Sequence, residues 1–292
     1  MSISTLVCLI PFSFQWNSSG IPLESTGIPL EWLDSCRIPP EFLWIPVDST
    51  GIPLEWPDSC RNRWGTVKYW VPRLPHEVTA LADHFGTPEL PELVQHILYQ
   101  QENPDSLISL GLVPLDNCSS LSHIKVHVYA STLATYFAPS DKSGTQGMFH
   151  ECIWAVSSWR KGPPRYDCAF VKQDSMLQGF HGLLVACVHS FLLIQYHSIA
   201  HPCALVSWYS VVGDQPCRDR RMWKVKPDLN DLRNPTLDII HLDSILHNAH
   251  LMGACEGSTC LPHNFTFNNS LDSFKAFYIT MYIDYHAHKI AF

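Results

Sequence analysis

The pattern of apolar and polar positions divides the chain into three stretches. In residues 1–66, proline interrupts nearly every apolar cluster, and proline blocks both helix interiors and central strands. Residues 67–122 carry apolar positions at helical spacing, whereas residues 123–292 carry short apolar runs typical of strands. The pattern therefore predicts an α+β protein with a disordered proline-rich repeat, a short helical segment and a β-rich globular domain.

The first stretch is a tandem repeat. The peptide GIPLE occurs three times, and residues 25–37 recur as residues 49–61 with one difference, Leu33 against Pro57. Structural repeats keep their core positions while their surfaces drift, but here both are copied. We interpret residues 1–66 as translated repeat DNA without a function. The alternative is a proline-rich ligand for aromatic-lined grooves.

Periodicity predicts the elements of the other two stretches. Residues 75–86 and 88–104 have apolar positions on one helical face and prolines near their ends, which predicts a helical hairpin. Strand-like runs follow at 123–131, 166–171, 182–213, 222–227 and 237–242. Short strands with tight turns are typical of a small antiparallel β barrel or sandwich. An apolar stripe in residues 269–292 predicts a C-terminal helix packed on it.

Residues 182–213 contain no Asp, Glu, Lys or Arg, so a hydropathy window would score them as a membrane span. The segment also contains Gln195, three histidines and Pro202, and it is rich in β-branched and aromatic residues. These residues favour a buried β-hairpin that divides near residues 197–202. We therefore expect no membrane partner.

Net charge and cysteine content limit the partners and cellular compartments to be expected. The net charge is −8, and its even division between residues 1–66 and 67–292 argues against a generic polyanion binder. The eleven cysteines show no regular disulfide framework, so we expect reduced thiols in a nuclear or cytoplasmic protein. Residues 1–14 lack a basic residue and a convincing cleavage site, so secretion is not expected.

Several long strings in this chain carry a family resemblance. They are SSWRKGPPRYDCAFV, HPCALVSWYSVVGDQP, MWKVKPD, IIHLDSILHNAHLMG and the closing NSLDSFKAFYITMYIDYHAHKIAF, with further similarity upstream at residues 69–105 and 127–148. Through them, most of residues 67–292 resembles the C-terminal region of fungal Plavaka-type transposases, which belong to the CACTA-like cut-and-paste elements.

The resemblance implies mobile-element ancestry without the chemistry. In that family the RNase-H-like core with its acidic triad lies upstream of this region, where this chain has the repeat instead. Relatives also tend to be acidic before the MW strand, where this chain has CRDRRMWKVK, and Cys187 and His189 replace expected basic residues. We therefore expect a non-catalytic accessory region, with nucleic acid or upstream transposase subunits as candidate partners.

One basic cluster is the candidate nucleic-acid contact. It alternates around Trp223 on a predicted strand and comprises Arg218, Arg220, Arg221, Lys224 and Lys226. Three aromatic residues, Trp208, Tyr209 and Trp223, are a candidate pocket for a chromatin-binding or nucleic-acid-binding small-barrel module. The competing interpretation of the cluster is a solvated sheet edge protected by charge.

Two further constellations concern metals. A cluster of histidines and cysteines that follows His241 includes ligand types that zinc accepts. It comprises His247, His250, Cys255, Cys260 and His263. The spacing of these residues matches no standard zinc finger. We therefore expect a variable surface loop and no cofactor, with zinc as the one candidate. A metal-dependent nuclease would need convergence of carboxylates such as Asp141, Asp167, Asp214, Asp243 and Asp284, which lie in predicted turns or helix starts. No catalytic residue is assigned.

Overall fold

The computed structural model describes residues 64–103, 113–115, 118, 120–137, 148–174, 176–255, 265–266, 273–282 and 285–292. The chain divides into Met1–Glu55 and Trp56–Phe292, and all of the described residues belong to the second unit. Residues 1–63 of the predicted disordered repeat therefore lie outside the described residues. Its last three residues and the start of the predicted helical segment instead form a strand, Trp64–Trp70, which corrects both predictions at their common boundary.

In the part of the chain that the structure describes, twelve strands form a single, mostly antiparallel sheet that curls into a half-barrel. They are β1 (Trp64–Trp70), β2 (Lys125–Phe137), β3 (Met148–Val156), β4 (Arg165–Tyr166), β5 (Cys168–Lys172), β6 (Leu183–Tyr196), β7 (Ile199–Val211), β8 (Lys224–Pro227), β9 (Leu237–His241), β10 (Ile245–Asn248), β11 (Leu251–Gly253) and β12 (Phe277–Ile279). The main path runs β11-β12-β8-β7-β6-β2-β3-β4. Strand β1 pairs with β2, β9 pairs with β7, and β5 pairs with both β6 and β10.

The uncharged segment forms the central hairpin of this sheet, as predicted. Strands β6 and β7 pair from Val185 and Tyr209 to Tyr196 and Ile199. His197 and Ser198 join them with φ angles of 47° and 65°, the left-handed conformation that two-residue hairpin turns require. Across the described ranges, no helix has the length and apolar character needed to traverse a membrane.

Two predicted helices form on the N-terminal side of β2. Helix α1 (Val78–Phe85) ends at Gly86, which has a φ of 65° and donates its backbone N–H to carbonyls of the last turn, as glycine C-caps commonly do. Helix α2 (Leu90–Glu102) begins with proline in its first turn. Both helices pack on the sheet, and one core joins Leu81, Leu90 and Leu98 to Ile194 and Ile239.

The C-terminal segment corrects one prediction. Helix α3 covers only Tyr285–Ala291, because residues 277–279, predicted as helix, form β12 between β8 and β11. Aromatic and β-branched residues suit strands, and two pairing partners outweigh the helical apolar spacing. Phe277 and Ile279 are fully buried there.

Alternation along the central strands separates two apolar layers. Cys187, Val185 and Tyr209 pack with Phe170 and Phe277 on one face. The residues between them in sequence, including Ala186 and Val206, pack on the opposite face with Ile245. The first face lies beneath the cleft described below.

Candidate nucleic-acid interface

The basic cluster divides between strand β8 and the turn before it. In β8, Val225 is buried while Lys226 is exposed and Lys224 is half-buried, so the two lysines share the outer face. Strand β8 lies between β7 and β12. The sheet-edge interpretation therefore does not apply to these lysines, because β8 is not an edge strand.

The three arginines lie in the turn at residues 218–221. The guanidinium of Arg220 lies over the ring of Tyr278 at 4.7 Å, and Tyr278 is the cross-strand partner of Lys224. Arg218 and Arg221 instead line a smaller cavity of about 600 Å³ beside Trp223. The structure thus distributes the predicted cluster over two adjoining surfaces.

The three predicted pocket aromatics do not come together. Trp208 and Tyr209 are consecutive on β7 and lie on opposite faces, and Trp208 donates its indole N–H to Asp238 at 3.2 Å. Trp223 is 6% exposed and stacks on Phe180. Only Tyr209 lines the large cleft, so the predicted pocket is replaced by one with different walls.

That cleft has a volume of about 1410 Å³. Its floor comes from Tyr166 on β4, Cys187 and His189 on β6, and Ser207 and Tyr209 on β7. Its rim comes from β8, from the 228–236 loop and from the segment before β12. The walls therefore combine segments that are far apart in sequence.

Positive charge predominates around the cleft. Among the described lining residues, Arg165, Lys226, Arg233 and Lys275 face a single carboxylate, Asp228. Arg165 is held by Asp167 in a two-bond contact of 2.9 and 3.0 Å. The other three cations are exposed and make no ion pair with a described carboxylate. In a chain of net charge −8, this is a local concentration of uncompensated cations.

The cleft floor supplies polar groups that are neutral. The pairing of β6 with β7 shifts register between Val188 and Ser190, so His189 sits at a β-bulge, a feature that re-aims side chains. Its Nε2 lies 2.8 Å from Ser207 Oγ. Burial lowers the pKa of His189, and burial raises the pKa of the neighbouring Tyr166. Both groups are therefore uncharged hydrogen-bonding groups at neutral pH.

The predicted zinc ligands lie on another part of the sheet. His247 is fully buried in β10, and its Nε2 lies 3.5 Å from Glu151, while His250 Nε2 lies 4.0 Å from the same carboxylate. Cys255 is disulfide-bonded, whereas the sequence analysis expected reduced thiols. A disulfide sulfur is also not a zinc ligand, because zinc binds thiolate. Cys260 and His263 lie outside the described residues. Within the described ranges, no group of three or more His, Cys, Asp or Glu side chains is arranged to hold a metal ion.

The predicted nuclease carboxylates have local roles where the structure describes them. Asp167 binds Arg165 and accepts the backbone N–H of Trp154. Asp243 lies 3.3 Å from His241, just after β9. Asp214 lies in the exposed segment after β7, and Asp141 and Asp284 lie outside the described residues.

Arg233 and Lys275 are the cleft residues that sequence reasoning missed. Each is a single cation in a loop-like segment outside the cluster at residues 218–226, so neither belongs to a local group of cations. Only the pairing of β8 with β7 and β12 brings their segments to the same rim. No spacing signal in the sequence would have identified them.

No protein-family model, curated protein or solved structure matches this chain.

Proposed function

We propose that this chain is a non-catalytic accessory region of a transposase-type protein, a half-barrel module that binds nucleic acid through its cleft. The resemblance of residues 67–292 to the C-terminal region of Plavaka-type transposases supports the ancestry. The observation that carries the binding function is the rim of Lys226, Arg233 and Lys275, three exposed cations without a described carboxylate partner around one cleft.

The chemistry of the cleft favours a phosphate-bearing polymer over a small neutral ligand. Lysine and arginine neutralise backbone phosphates, and this contact supplies most of the sequence-independent affinity of nucleic-acid-binding proteins. The half-buried ring of Tyr166 and the hydrogen-bonding pair His189 and Ser207 lie below the cations. This arrangement offers phosphate contacts at the rim and base contacts at the floor.

The basic strip formed by β8 and the turn before it extends the same surface. Lys226 stands at the cleft, Lys224 shares its face, and Arg220 covers Tyr278 beside it. A polymer bound in the cleft would pass over this strip, whereas a mononucleotide would be held by the cleft alone. The strip thus favours an extended ligand.

The test is fluorescence anisotropy with a labelled oligonucleotide at fixed low salt. The triple substitution K226Q/R233Q/K275Q is expected to weaken binding at least tenfold, because three phosphate contacts are lost. The matched control K125Q/K172Q/K289Q removes three exposed lysines that do not line the cleft. The control should bind within about threefold of the wild type.

Two outcomes would count against the proposal. Equal loss of affinity in the triple variant and its control would indicate non-specific attraction rather than a binding cleft. Absence of binding by the wild-type chain to single-stranded and duplex oligonucleotides alike would instead leave a contact with upstream transposase subunits as the role of the surface.

A further inference from the structure

Two cysteines face each other across neighbouring strands at the base of the cleft. Cys168 on β5 is the direct cross-strand partner of Cys187 on β6. Both are buried in the same apolar layer, with exposures of 5% and 7%, and both are free thiols. Cys187, unlike Cys168, also lines the cleft.

The backbone hydrogen bonds define the geometry of this pair. The N–H of Val188 donates to Asp167 O at 3.0 Å, while Cys168 O accepts from Ala249 on the other side of β5. Cys168 and Cys187 are therefore a non-hydrogen-bonded pair, in which Cα atoms lie about 4.5 Å apart and side chains approach most closely. Disulfides need Cα separations of roughly 4.4–6.8 Å, so this pair can be bridged without moving either strand.

The side chains already interact. A hydrogen bond to Cys187, followed by burial, raises the pKa of Cys168 well above its usual value. Cys187 Sγ donates to Tyr166 O at 3.9 Å, and Cys187 is the member of the pair that lines the cleft. Cys187 is therefore the sulfur placed to react first, and Cys168 is placed to react second.

We propose that Cys168 and Cys187 are a peroxide-oxidisable thiol pair that closes into an intramolecular cross-strand disulfide at the base of the cleft. The Cys187 thiolate attacks hydrogen peroxide, the O–O bond breaks, and a sulfenic acid forms as hydroxide leaves and is protonated to water. The Cys168 sulfur then attacks Cys187, its proton leaves with the departing hydroxyl, and a second water is released. Two thiols are oxidised and one peroxide is reduced, and a thiol reductant reverses the change.

The test uses the purified full chain, treated with a small excess of hydrogen peroxide, alkylated under denaturing conditions and digested without reduction. Mass spectrometry should detect the Cys168 peptide linked to the Cys187 peptide, and dithiothreitol should abolish the link. Cys203 is the matched control: it is fully buried, burial raises its pKa to about 12, and Leu192 rather than a cysteine faces it on β6. Cys203 should remain fully alkylated.

A variant separates the two steps of the reaction. In C168S the second step is blocked, so dimedone should trap a sulfenic acid at Cys187. Peroxide treatment that leaves the wild-type pair unlinked, or that links either cysteine to a different chain, would overturn the proposal, as would dimedone labelling that misses Cys187 in a folded C168S protein. Circular dichroism checks the fold of that variant. None of these readouts depends on nucleic-acid binding.

Discussion

At the scale of single residues, the cleft depends on alternation and on one irregularity. Cys187, Ser207 and Tyr209 share one face because β-strand side chains alternate between faces, and Trp208 lies on the opposite face for the same reason. Sequence alternation can predict which residues share a face. It could not predict the bulge at His189, because the bulge depends on the pairing of β6 with β7.

His189 gives a pH dependence with a definite sign. Burial lowers the folded-state pKa of His189 below 6.5, the value of an unperturbed histidine. Between the folded-state pKa and 6.5, the unfolded chain binds more protons than the folded chain, so stability rises with pH. Stability is therefore lost as the pH falls through 6.5 towards the folded-state value. We expect H189Q to lose less unfolding free energy than the wild type between pH 7 and pH 5, as measured by urea denaturation.

The control for this experiment is H123Q, which replaces an exposed histidine and should leave the pH dependence of the wild type in place. If H189Q and the wild type lost the same free energy over this interval, His189 would not be the buried neutral group described above.

At the scale of elements, short-range sequence patterns predicted the elements whose residues are close together in sequence. Proline and glycine signals with helical periodicity predicted α1 and α2, and the uncharged run predicted the β6–β7 hairpin. The prediction failed at residues 277–279 because an apolar aromatic run fits either period, and only pairing with β8 and β11 decides between them. Strand β1 was not predicted, because its strand conformation depends on pairing with β2, which is distant in sequence.

The hairpin turn offers an element-scale prediction. His197 and Ser198 both adopt positive φ, which costs non-glycine residues free energy, and Asn-Gly is the preferred pair for such turns. The double substitution H197N/S198G is expected to raise the free energy of unfolding by about 1 kcal/mol, as measured by urea denaturation.

Alanine at the same two positions is the matched control for the turn. H197A/S198A should lower stability, since alanine tolerates the left-handed region poorly. Stabilisation by both double variants would indicate that loss of the His197 ring, which stacks on Tyr196, matters more than the turn conformation.

At the scale of the whole molecule, helices and sheet share a core. The sequence suggested a helical segment at 67–122 beside a β domain at 123–292, but Leu90 and Leu98 pack against Ile194 and Leu205. We therefore expect L98A to cost about 2–5 kcal/mol and to shift unfolding followed by circular dichroism and by tryptophan fluorescence together. The exposed-site control Q101A should change stability by less than about 0.5 kcal/mol.

Separate transitions for the two probes in L98A would contradict this account, because they would show that the helices unfold independently of the sheet. The prediction concerns the unit Trp56–Phe292.

The candidate site also illustrates what a sequence can yield about function. The basic cluster at 218–226 was visible in the sequence, and Lys226 does line the cleft. Its partners Arg233 and Lys275 were not visible, because isolated cations in loops give no pattern. A site assembled from several strands and loops can therefore be predicted only in part before the strand pairing is known.

The central claim is that the cleft cations contact phosphates, and the salt dependence of binding tests it most directly. Binding to nucleic acid weakens with salt, and each phosphate contact steepens the slope of log K against log salt concentration. The contribution of one contact is roughly 0.7 for single strands and roughly 0.9 for duplexes. K226Q/R233Q/K275Q should therefore reduce the wild-type slope by about 2 to 3. An unchanged slope in that variant would contradict the assignment of this cleft as the nucleic-acid interface.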